Sequence, residues 1–283
     1  PFQMVTSVAD AGIDVLNVNT TRAPSVLTLT DATLTGLVKA GLDYTAIETV
    51  NLNSAGFADT VNIVSTNAAT PVNVRTGGGK DTVNVVGVSS ATGIFGQGDD
   101  DLVHVGSDTA VLGNDAGTLN LIAATLTIDG GTGTDIVNLD DGGDAAANTG
   151  ILTSALVTGL SPAGISYLGL EKLNIWLGTG DNLFNAKATL VGGSTPVTVT
   201  GSSGNDSFNV RSDGRTVNDI GSRLELIGGA GANTLNFDDG LETASQSGTL
   251  GKTTIAGFGM GGAGLVYAGF ETLNLVLGSG IDQ

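Results

Sequence analysis

The sequence predicts an all-β protein, a right-handed parallel β-solenoid of the β-helix or β-roll type, built from repeat units of about 100 residues. Three observations lead to this prediction. Glycine- and aspartate-rich turns recur along the chain, and a stretch of alternating apolar and polar residues follows each turn. Glycine accounts for 45 of the 283 residues, which disfavours a helical protein. Hydrophobic residues make up 40% of the chain, so an apolar core can still form.

The turns share a pattern that ends in an aspartate or asparagine just before the predicted strand. The stretch GGTGTDIVN at 130–138 matches the nonapeptide G-G-x-G-x-D-x-U-x, where U is a large apolar residue, at every specified position. Further strong copies begin at Gly77, Gly96, Gly201 and Gly228. The acidic or amide positions of the turns are Asp14, Asp59, Asp81, Asp100, Asp135, Asn182, Asp206, Asn233 and Asp282.

The segments after the turns have the period of two that is typical of a strand. Examples are Val83-Asn84-Val85, Phe208-Asn209-Val210 and Leu235-Asn236-Phe237. Such alternation sends the apolar pair to one face and the asparagine to the other. We expect the apolar residues to fill the interior. The outward asparagines either hydrogen-bond to each other along the stack or bind a carbohydrate or a neighbouring copy of the chain.

The spacing of the turns predicts a duplicated chain. Asp135 and Asn233, and likewise Asn182 and Asp282, lie about 100 residues apart, whereas the first copy is about 20 residues longer. We predict one continuous solenoid with unit 1 at 1–122, unit 2 at 123–220 and a partial unit 3 at 221–283. The surplus of the first unit is placed near 86–105 as one extra coil, since a solenoid accepts an added coil without disturbing its neighbours.

Charge and composition limit the possible partners. The 28 acidic and 10 basic residues give a net charge of −18, which repels nucleic acid and attracts cations. The sequence has no cysteine and no apolar run of the length that spans a bilayer, so we expect neither nucleic-acid binding nor membrane insertion. Because the chain begins at Pro1 and both ends fall within a repeat, we expect a piece of a longer protein.

The turns resemble the repeats-in-toxin (RTX) repeats of very large secreted or surface proteins of bacteria. That resemblance implies a secreted or cell-surface location and calcium held between stacked turns by aspartate carboxylates and backbone carbonyl oxygens. Carried over to this sequence, Asp81 and Asp100 form one stacked pair, with Asp99 or Asp101 nearby. Asp135 and Asp206 occupy the matching position of two other turns.

The sequence also departs from the RTX pattern. Ser90 stands nine residues after Asp81, where a back-to-back repeat would place another glycine-rich turn, and Asn182 and Asn233 replace aspartate with a neutral amide. Asp135 lies 35 residues beyond Asp100, so Asp81 with Asp100 is the better predicted calcium pair. The alternative is that glycine and Asx residues only provide the left-handed conformations of tight turns.

Three classes of function remain after these observations. The first is a non-enzymatic structural or adhesive repeat module of a long extracellular protein, stabilised by calcium. The second is a self-assembling filament or surface-layer subunit. The third is a polysaccharide-active β-helix enzyme, which the single histidine, His104, disfavours, and we predict no catalytic residue. Tyr44, Tyr167 and Tyr267, each four residues before a glutamate, are expected to pack at a recurring corner.

Overall fold

The described part of the chain consists of short β-strands and contains no helix. The structure is a computed structural model and describes residues 3–5, 12–21, 24–37, 41–44, 46–108, 116–190, 196–261 and 264–280. The predicted turn residue Asp282 lies outside these ranges. No helix in them has the length and apolar character needed to cross a membrane.

The strands are mostly three to five residues long, as expected from the short alternating segments of the sequence. They are β1 (Gln3–Val5), β2 (Val15–Asn19), β3 (Val26–Leu29), β4 (Thr33–Thr35), β5 (Leu42–Asp43), β6 (Thr49–Asn53), β7 (Thr60–Ile63), β8 (Val72–Arg75), β9 (Thr82–Val85), β10 (Thr92–Phe95), β11 (Leu102–Val105), β12 (Leu126–Asp129), β13 (Ile136–Asp140), β14 (Thr149–Leu152), β15 (Leu156–Thr158), β16 (Ile165–Leu168), β17 (Lys172–Trp176), β18 (Leu183–Ala186), β19 (Val197–Thr200), β20 (Ser207–Val210), β21 (Leu224–Ile227), β22 (Thr234–Asp238), β23 (Gly248–Leu250), β24 (Thr254–Gly257), β25 (Leu265–Ala268) and β26 (Thr272–Val276).

The chain divides into two compact units, here called the N-unit and the C-unit. The N-unit comprises 1–112, 119–139 and 161–170, and the C-unit comprises 113–118, 140–160 and 171–283. These boundaries follow the spatial contacts of the chain. The repeat boundaries read from the sequence at 123 and 221 stay a prediction.

The N-unit has two sheets whose central strands all run parallel. Sheet N-a has the order β1-β2-β6-β8-β10-β12-β16, and sheet N-b has the order β13-β11-β9-β7-β3-β4-β5. From β6 to β13 the chain alternates between the two sheets, so one coil contributes one strand to each. Antiparallel pairing occurs at the ends of the sheets, between β1 and β2, β3 and β4, and β4 and β5.

The C-unit follows the same two-sheet plan. Sheet C-a has the order β15-β14-β18-β20-β22-β26, and sheet C-b has the order β23-β24-β25-β21-β19-β17. Parallel pairing again dominates, and the exceptions are hairpin partners such as β14 with β15 and β23 with β24. The antiparallel pairs of both units depart from the expectation of purely parallel strands, because a short turn can join only antiparallel neighbours.

Apolar side chains stack in columns in the interior of each unit. In sheet N-b the register aligns Leu27, Val61, Val83, Val103 and Val137, and all five are buried. In sheet C-a, Phe184, Phe208 and Leu235 form a comparable buried column. The period-two prediction is therefore confirmed for these strands, since the residues between the buried ones point away from the core.

The all-β, mostly parallel architecture predicted from the sequence is confirmed, and the repetitive pairing is consistent with a β-solenoid. The predicted surplus at 86–105 contains β10 and β11, one strand of each N-unit sheet. Its length thus corresponds to one coil. That this coil is an insertion relative to the other repeats stays a prediction.

Candidate functional site, a carboxylate ladder along the turns

A ladder of aspartates runs along the turns that enter sheet N-b. The backbone N–H of Ser25 donates to Asp59 Oδ1 at 2.5 Å, that of Asp59 to Asp81 Oδ1 at 2.6 Å, that of Asp81 to Asp101 Oδ1 at 2.9 Å, and that of Asp101 to Asp135 Oδ1 at 2.8 Å. Each residue immediately precedes a strand, so parallel in-register pairing stacks the turns. Each carboxylate caps a backbone donor of the preceding coil.

The register corrects the alignment of one turn. Thr82 pairs with Leu102, which places Asp101, and not Asp100, on the ladder above Asp81. Asp100 instead lies beside Lys80, with 2.5 Å between its Oδ2 and the lysine Nζ, and accepts a hydrogen bond from the Thr134 N–H at 3.0 Å. The Lys80 hydrogen bond lowers the pKa of Asp100. The predicted stacked pair Asp81 and Asp100 is therefore replaced by Asp81 and Asp101.

Backbone conformation explains why the alignment by glycines failed. In the turns before Asp81, Asp101 and Asp135, the positions four and two residues before the ladder aspartate have positive φ. They are Gly77 (95°) and Gly79 (103°), Gly131 (97°) and Gly133 (148°), and, in the turn before Asp101, Gln97 (74°) and Asp99 (69°). Because aspartate tolerates the left-handed region better than most residues, this turn uses it where its neighbours use glycine. Its own glycines, Gly96 and Gly98, lie one position earlier.

The predicted residue Asp99 also contacts the coil below it. Its Oδ2 accepts a hydrogen bond from the Gly79 N–H at 2.8 Å. The residue thus contributes a carboxylate near Asp81, and its charge adds to the upward shift of the Asp81 pKa. The prediction that Asp99 lies close to the stacked pair is correct, although its described role is to bind a backbone donor.

Asp135 lies on the same ladder, although its distance from Asp100 along the chain made it the weaker candidate in the sequence. The strands β11 and β13 pair directly, with Leu102 opposite Ile136. A separation of 34 positions between Asp101 and Asp135 therefore still brings the chain back to the neighbouring strand of the sheet. Sequence separation alone could not show this, since a longer coil can still return to the same register.

The ladder carboxylates are buried, and burial changes their acidity. Burial raises the pKa of Asp81 to about 6 and that of Asp101 to about 7, and the hydrogen bonds from backbone N–H groups offset part of this change. Within the described residues, the Oδ2 atoms of Asp59, Asp81 and Asp101 are buried and have no hydrogen-bond partner. These atoms are the ones through which a proton or a cation can stabilise the ladder.

The C-unit has a second ladder, in sheet C-a, with fewer charges. The N–H of Asn148 donates to Asn182 Oδ1 at 3.0 Å, that of Asn182 to Asp206 Oδ1 at 2.8 Å, that of Asp206 to Asn233 Oδ1 at 2.9 Å, and that of Asn233 to Glu271 Oε2 at 2.6 Å. Asp206, a predicted metal ligand, thus lies between two amides. Burial raises its pKa.

The asparagines of this ladder show how an amide replaces a carboxylate without an unsatisfied atom. Asn182 uses its carbonyl oxygen as the ladder acceptor, and its Nδ2 donates to the carbonyl oxygens of Gly178 at 2.9 Å and Gly180 at 2.8 Å. Both of these carbonyls belong to its own turn. An asparagine therefore satisfies both of its polar atoms within the ladder and its own turn, whereas an aspartate in the same place keeps a buried Oδ2.

One glutamate ends the C-unit ladder and another makes the same kind of contact beside sheet N-a, a role that the sequence did not reveal. Glu48 Oε2 accepts the N–H of Asp14 at 2.6 Å, as Glu271 Oε2 accepts that of Asn233. Each glutamate lies directly before a strand, in the place of an Asx residue. The recurring Tyr-x-x-x-Glu spacing was the available signal. Of the tyrosines, Tyr44 and Tyr167 are buried and Tyr44 donates to the Thr30 carbonyl, as expected for a packed corner.

The asparagine rows on the outer faces hydrogen-bond to each other, the first of the two predicted alternatives. In sheet N-a, Asn73 Nδ2 donates to Asn51 Oδ1 at 3.0 Å, and Asn51 Nδ2 to Asn17 Oδ1 at 2.9 Å. His104, expected to be solvated, is half-buried and lies 3.1 Å from Asn138 through its Nδ1. Burial lowers its pKa, so the histidine belongs to the row as a neutral side chain.

The fit of the ladder to calcium is incomplete. Calcium takes six to eight oxygen ligands, whereas each ladder aspartate already uses Oδ1 for a backbone donor. In the described ranges, no three acidic or histidine side chains converge as a metal site. Buried Oδ2 atoms, such as those of Asp59, Asp81 and Asp101, are the oxygens that the ladder itself offers to a cation among these residues. No protein-family model and no curated protein matches the sequence.

Proposed function

We propose that this chain is a non-enzymatic structural and adhesive repeat module of a long secreted or cell-surface bacterial protein. Its strands would form a right-handed β-solenoid of about 100-residue repeats. The observation that supports this proposal most strongly is the ladder that links one turn to the next through Asp59, Asp81, Asp101 and Asp135. Its hydrogen bonds act between coils, so they strengthen the stack along its axis.

The alternating sheets add to this support. Each coil contributes buried apolar residues to the interior and a hydrogen-bonded amide to the outer face, as Asn62 and Asn84 do in sheet N-b at 2.8 Å. Nearly every coil makes the same contacts with the coils on either side. Such repetition is typical of proteins whose role is extension or display of a surface, because stability is then a sum of neighbouring interactions.

Calcium is the partner that the acidic ladder favours. A cation near the buried Oδ2 atoms of Asp81 and Asp101 would offset the repulsion between their charges. The protein in EDTA should then melt at a lower temperature than the protein in millimolar calcium, by mass action on the folded state. Asp81→Asn and Asp101→Asn should each remove most of the difference.

Asp206→Asn is the matched control for this calcium experiment. Asp206 occupies the same ladder position but lies between Asn182 and Asn233, so neutralising it removes no pair of facing carboxylates. The calcium-dependent rise in melting temperature should survive in this variant. An equal melting temperature with and without calcium in the unsubstituted protein would refute the calcium part of the proposal and leave the ladder as a set of turn caps.

Electron microscopy of the intact native protein tests the structural and adhesive role against self-assembly. Separate molecules at the cell surface support a display or adhesion module. Continuous fibres formed from copies of this chain would show instead a filament or surface-layer subunit. A surface polysaccharide is the expected partner of an adhesive module, and cleavage of such a polysaccharide by the purified protein would refute the non-enzymatic assignment.

A further inference from the structure

A polar groove on the C-unit, here called the basic groove, concentrates positive charge in an acidic chain. It encloses about 380 Å³ and is lined by Lys187, Arg211 and Arg215 together with Asn185 and Ser212. The whole sequence holds only ten lysines and arginines, and three of them meet here. A local excess of positive charge on a chain of net charge −18 points to a specific anionic ligand.

The two arginines are held in place by one carboxylate. Asp238 accepts from Arg215 through Nε at 2.9 Å and Nη2 at 3.2 Å, and from Arg211 Nη1 at 2.9 Å. The Arg215 hydrogen bond lowers the pKa of Asp238, so the carboxylate stays charged and fixes both guanidinium groups. A guanidinium has five N–H donors, and these bonds leave Arg211 Nε and Nη2 and Arg215 Nη1 for a ligand.

The lysine has a partner that a ligand can replace. Lys187 Nζ lies 2.6 Å from Asp213 Oδ1, and the Asp213 side chain is 84% exposed. An exposed ion pair of this kind contributes little stability. An anion entering the groove therefore competes with a weakly bound carboxylate. Counting Lys187, Arg211 and Arg215 against Asp213 and Asp238 leaves one positive charge in excess, and displacement of Asp213 increases the excess.

The groove continues along the outer asparagine row of sheet C-a. A second cavity of about 250 Å³ shares Arg211 and is lined by Asn209, Asn236 and Asn274. The row is bonded in sequence, with Asn209 donating to Asn185 and Asn236 to Asn209, both at 2.9 Å. Asn209 and Asn274 each donate one bond within the row and keep a second N–H, whereas Asn236 also donates to Ser207 Oγ at 3.2 Å. Donors therefore recur along the row, though not at every strand. A linear, hydroxyl-rich polymer fits such a row.

We propose that the basic groove and the adjoining asparagine row bind an acidic polysaccharide. Carboxylate or sulfate groups would contact Lys187, Arg211 and Arg215, and sugar hydroxyls would contact Asn185, Asn209 and Asn274. This proposal deepens the adhesive role and rests on it. Repulsion from the rest of the acidic chain is screened beyond about 8 Å at physiological salt, so it does not prevent a polymer with a carboxylate on each sugar from reaching the groove.

Calorimetric titration with a hexameric oligogalacturonate tests the proposal. The methyl-esterified hexamer has the same backbone without its charges and is the matched ligand control. We expect the acidic hexamer to bind and the ester to bind at least about tenfold more weakly, since a charge-assisted hydrogen bond contributes about 1.5–3 kcal/mol. Equal affinity for the two hexamers would overturn the proposal.

Three variants distinguish binding in the basic groove from non-specific attraction of the anion to positive charges elsewhere on the protein. Lys187→Gln should weaken binding about tenfold and keeps the arginine pair with Asp238 intact, so the fold is retained. Asp213→Asn should strengthen binding, because it removes the competing carboxylate. Arg223→Gln is the control, since Arg223 pairs with Glu225 at 3.2 Å and does not line the groove. Weaker binding by Asp213→Asn would contradict the proposed site. A loss of affinity in Arg223→Gln equal to that in Lys187→Gln would contradict it as well.

The outcomes also separate this inference from the proposed function. Absence of binding by the folded, unsubstituted protein refutes the acidic-polysaccharide site and leaves the structural role untouched. Binding of free galacturonate as tightly as the hexamer would show a small-anion site and would also overturn the inference. Shortened oligosaccharides recovered after incubation would instead refute the non-enzymatic assignment.

Discussion

Asp101→Asn should stabilise the protein at neutral and alkaline pH. The Asp101 carboxylate is 6% exposed, and burial raises its pKa from 3.8 to about 7. At 1.36 kcal/mol per tenfold change in proton affinity, the ionised form destabilises the fold by up to about 4 kcal/mol above pH 7. Coupling to Asp81 and Asp135 spreads this effect over several groups, so we expect a gain of about 2–4 kcal/mol.

The direction in which stability changes with pH follows from the number of protons that each state binds. Between pH 3.8 and about 7 the folded state binds more protons than the unfolded chain, so the free energy of unfolding falls as pH rises through this window. Below this pH window the protonated Asp101 contributes its full share to the free energy of unfolding, and above the window that share is lost. Asparagine removes this titration, keeps the acceptor for the Asp81 N–H and adds an Nδ2 that can reach carbonyls of its own turn, as Asn182 does.

Urea unfolding at pH 4 and pH 8, in EDTA, measures the effect. The variant should exceed the unsubstituted protein in free energy of unfolding at pH 8 and differ from it by less than about 0.5 kcal/mol at pH 4. Asp100→Asn is the control, because Asp100 is exposed beside Lys80 and should change stability little. A lower stability of Asp101→Asn at pH 8 would refute the assignment of Asp101 as a buried, charge-strained member of the ladder.

Three further changes test the turns and the coils. Gln97→Gly should raise stability by about 0.5–1 kcal/mol in thermal unfolding, since Gln97 has a φ of 74° and a left-handed non-glycine residue costs about 1–2 kcal/mol. Gly133→Ala should instead destabilise, because a Cβ at Gly133 would clash with the Asp99 carbonyl oxygen, and an unchanged melting temperature would contradict the turn geometry. Deletion of residues 82–101 should leave a cooperatively folded protein with a smaller urea m-value, since Leu102 occupies the register position of Thr82, and loss of the whole fold would contradict coil-by-coil stacking.

The strand pattern was readable from the sequence because alternation reflects which face is buried. Val83 and Val85 are buried around Asn84, as the period of two predicts. The order of the strands in the sheets was not readable. Asp14 precedes β2 in sheet N-a, whereas Asp135, its counterpart in the predicted repeat, precedes β13 in sheet N-b. These two turns lead into different sheets, because the chain changes sheets at each half coil, and the spacing of the turns does not show which sheet a strand joins.

The sequence predicted that aspartates of the turns form the candidate site, but it misaligned one turn by one residue. Turn aspartates were identified from glycine spacing, and that spacing fails where Asp99 takes the left-handed position of a glycine. The glycine spacing pointed to Asp100 as the stacked residue, with Asp101 only nearby, whereas Asp100 lies beside Lys80 and Asp101 stacks on Asp81. The basic groove was also missed, since Lys187 and Arg211 are 24 residues apart and only the stacking of β18 on β20 brings them together.

Single-molecule pulling along the chain, with handles at its two ends, tests the structural role most directly. A stack held by ladders between coils should lose its coils in discrete force steps. The coil at 82–101 would release roughly 70 Å of extended chain at about 3.5 Å per residue, and Asp101→Asn in EDTA at pH 8 should raise the force of that step. Extension without steps, at forces no greater than those that stretch an unfolded chain, would contradict a structural module.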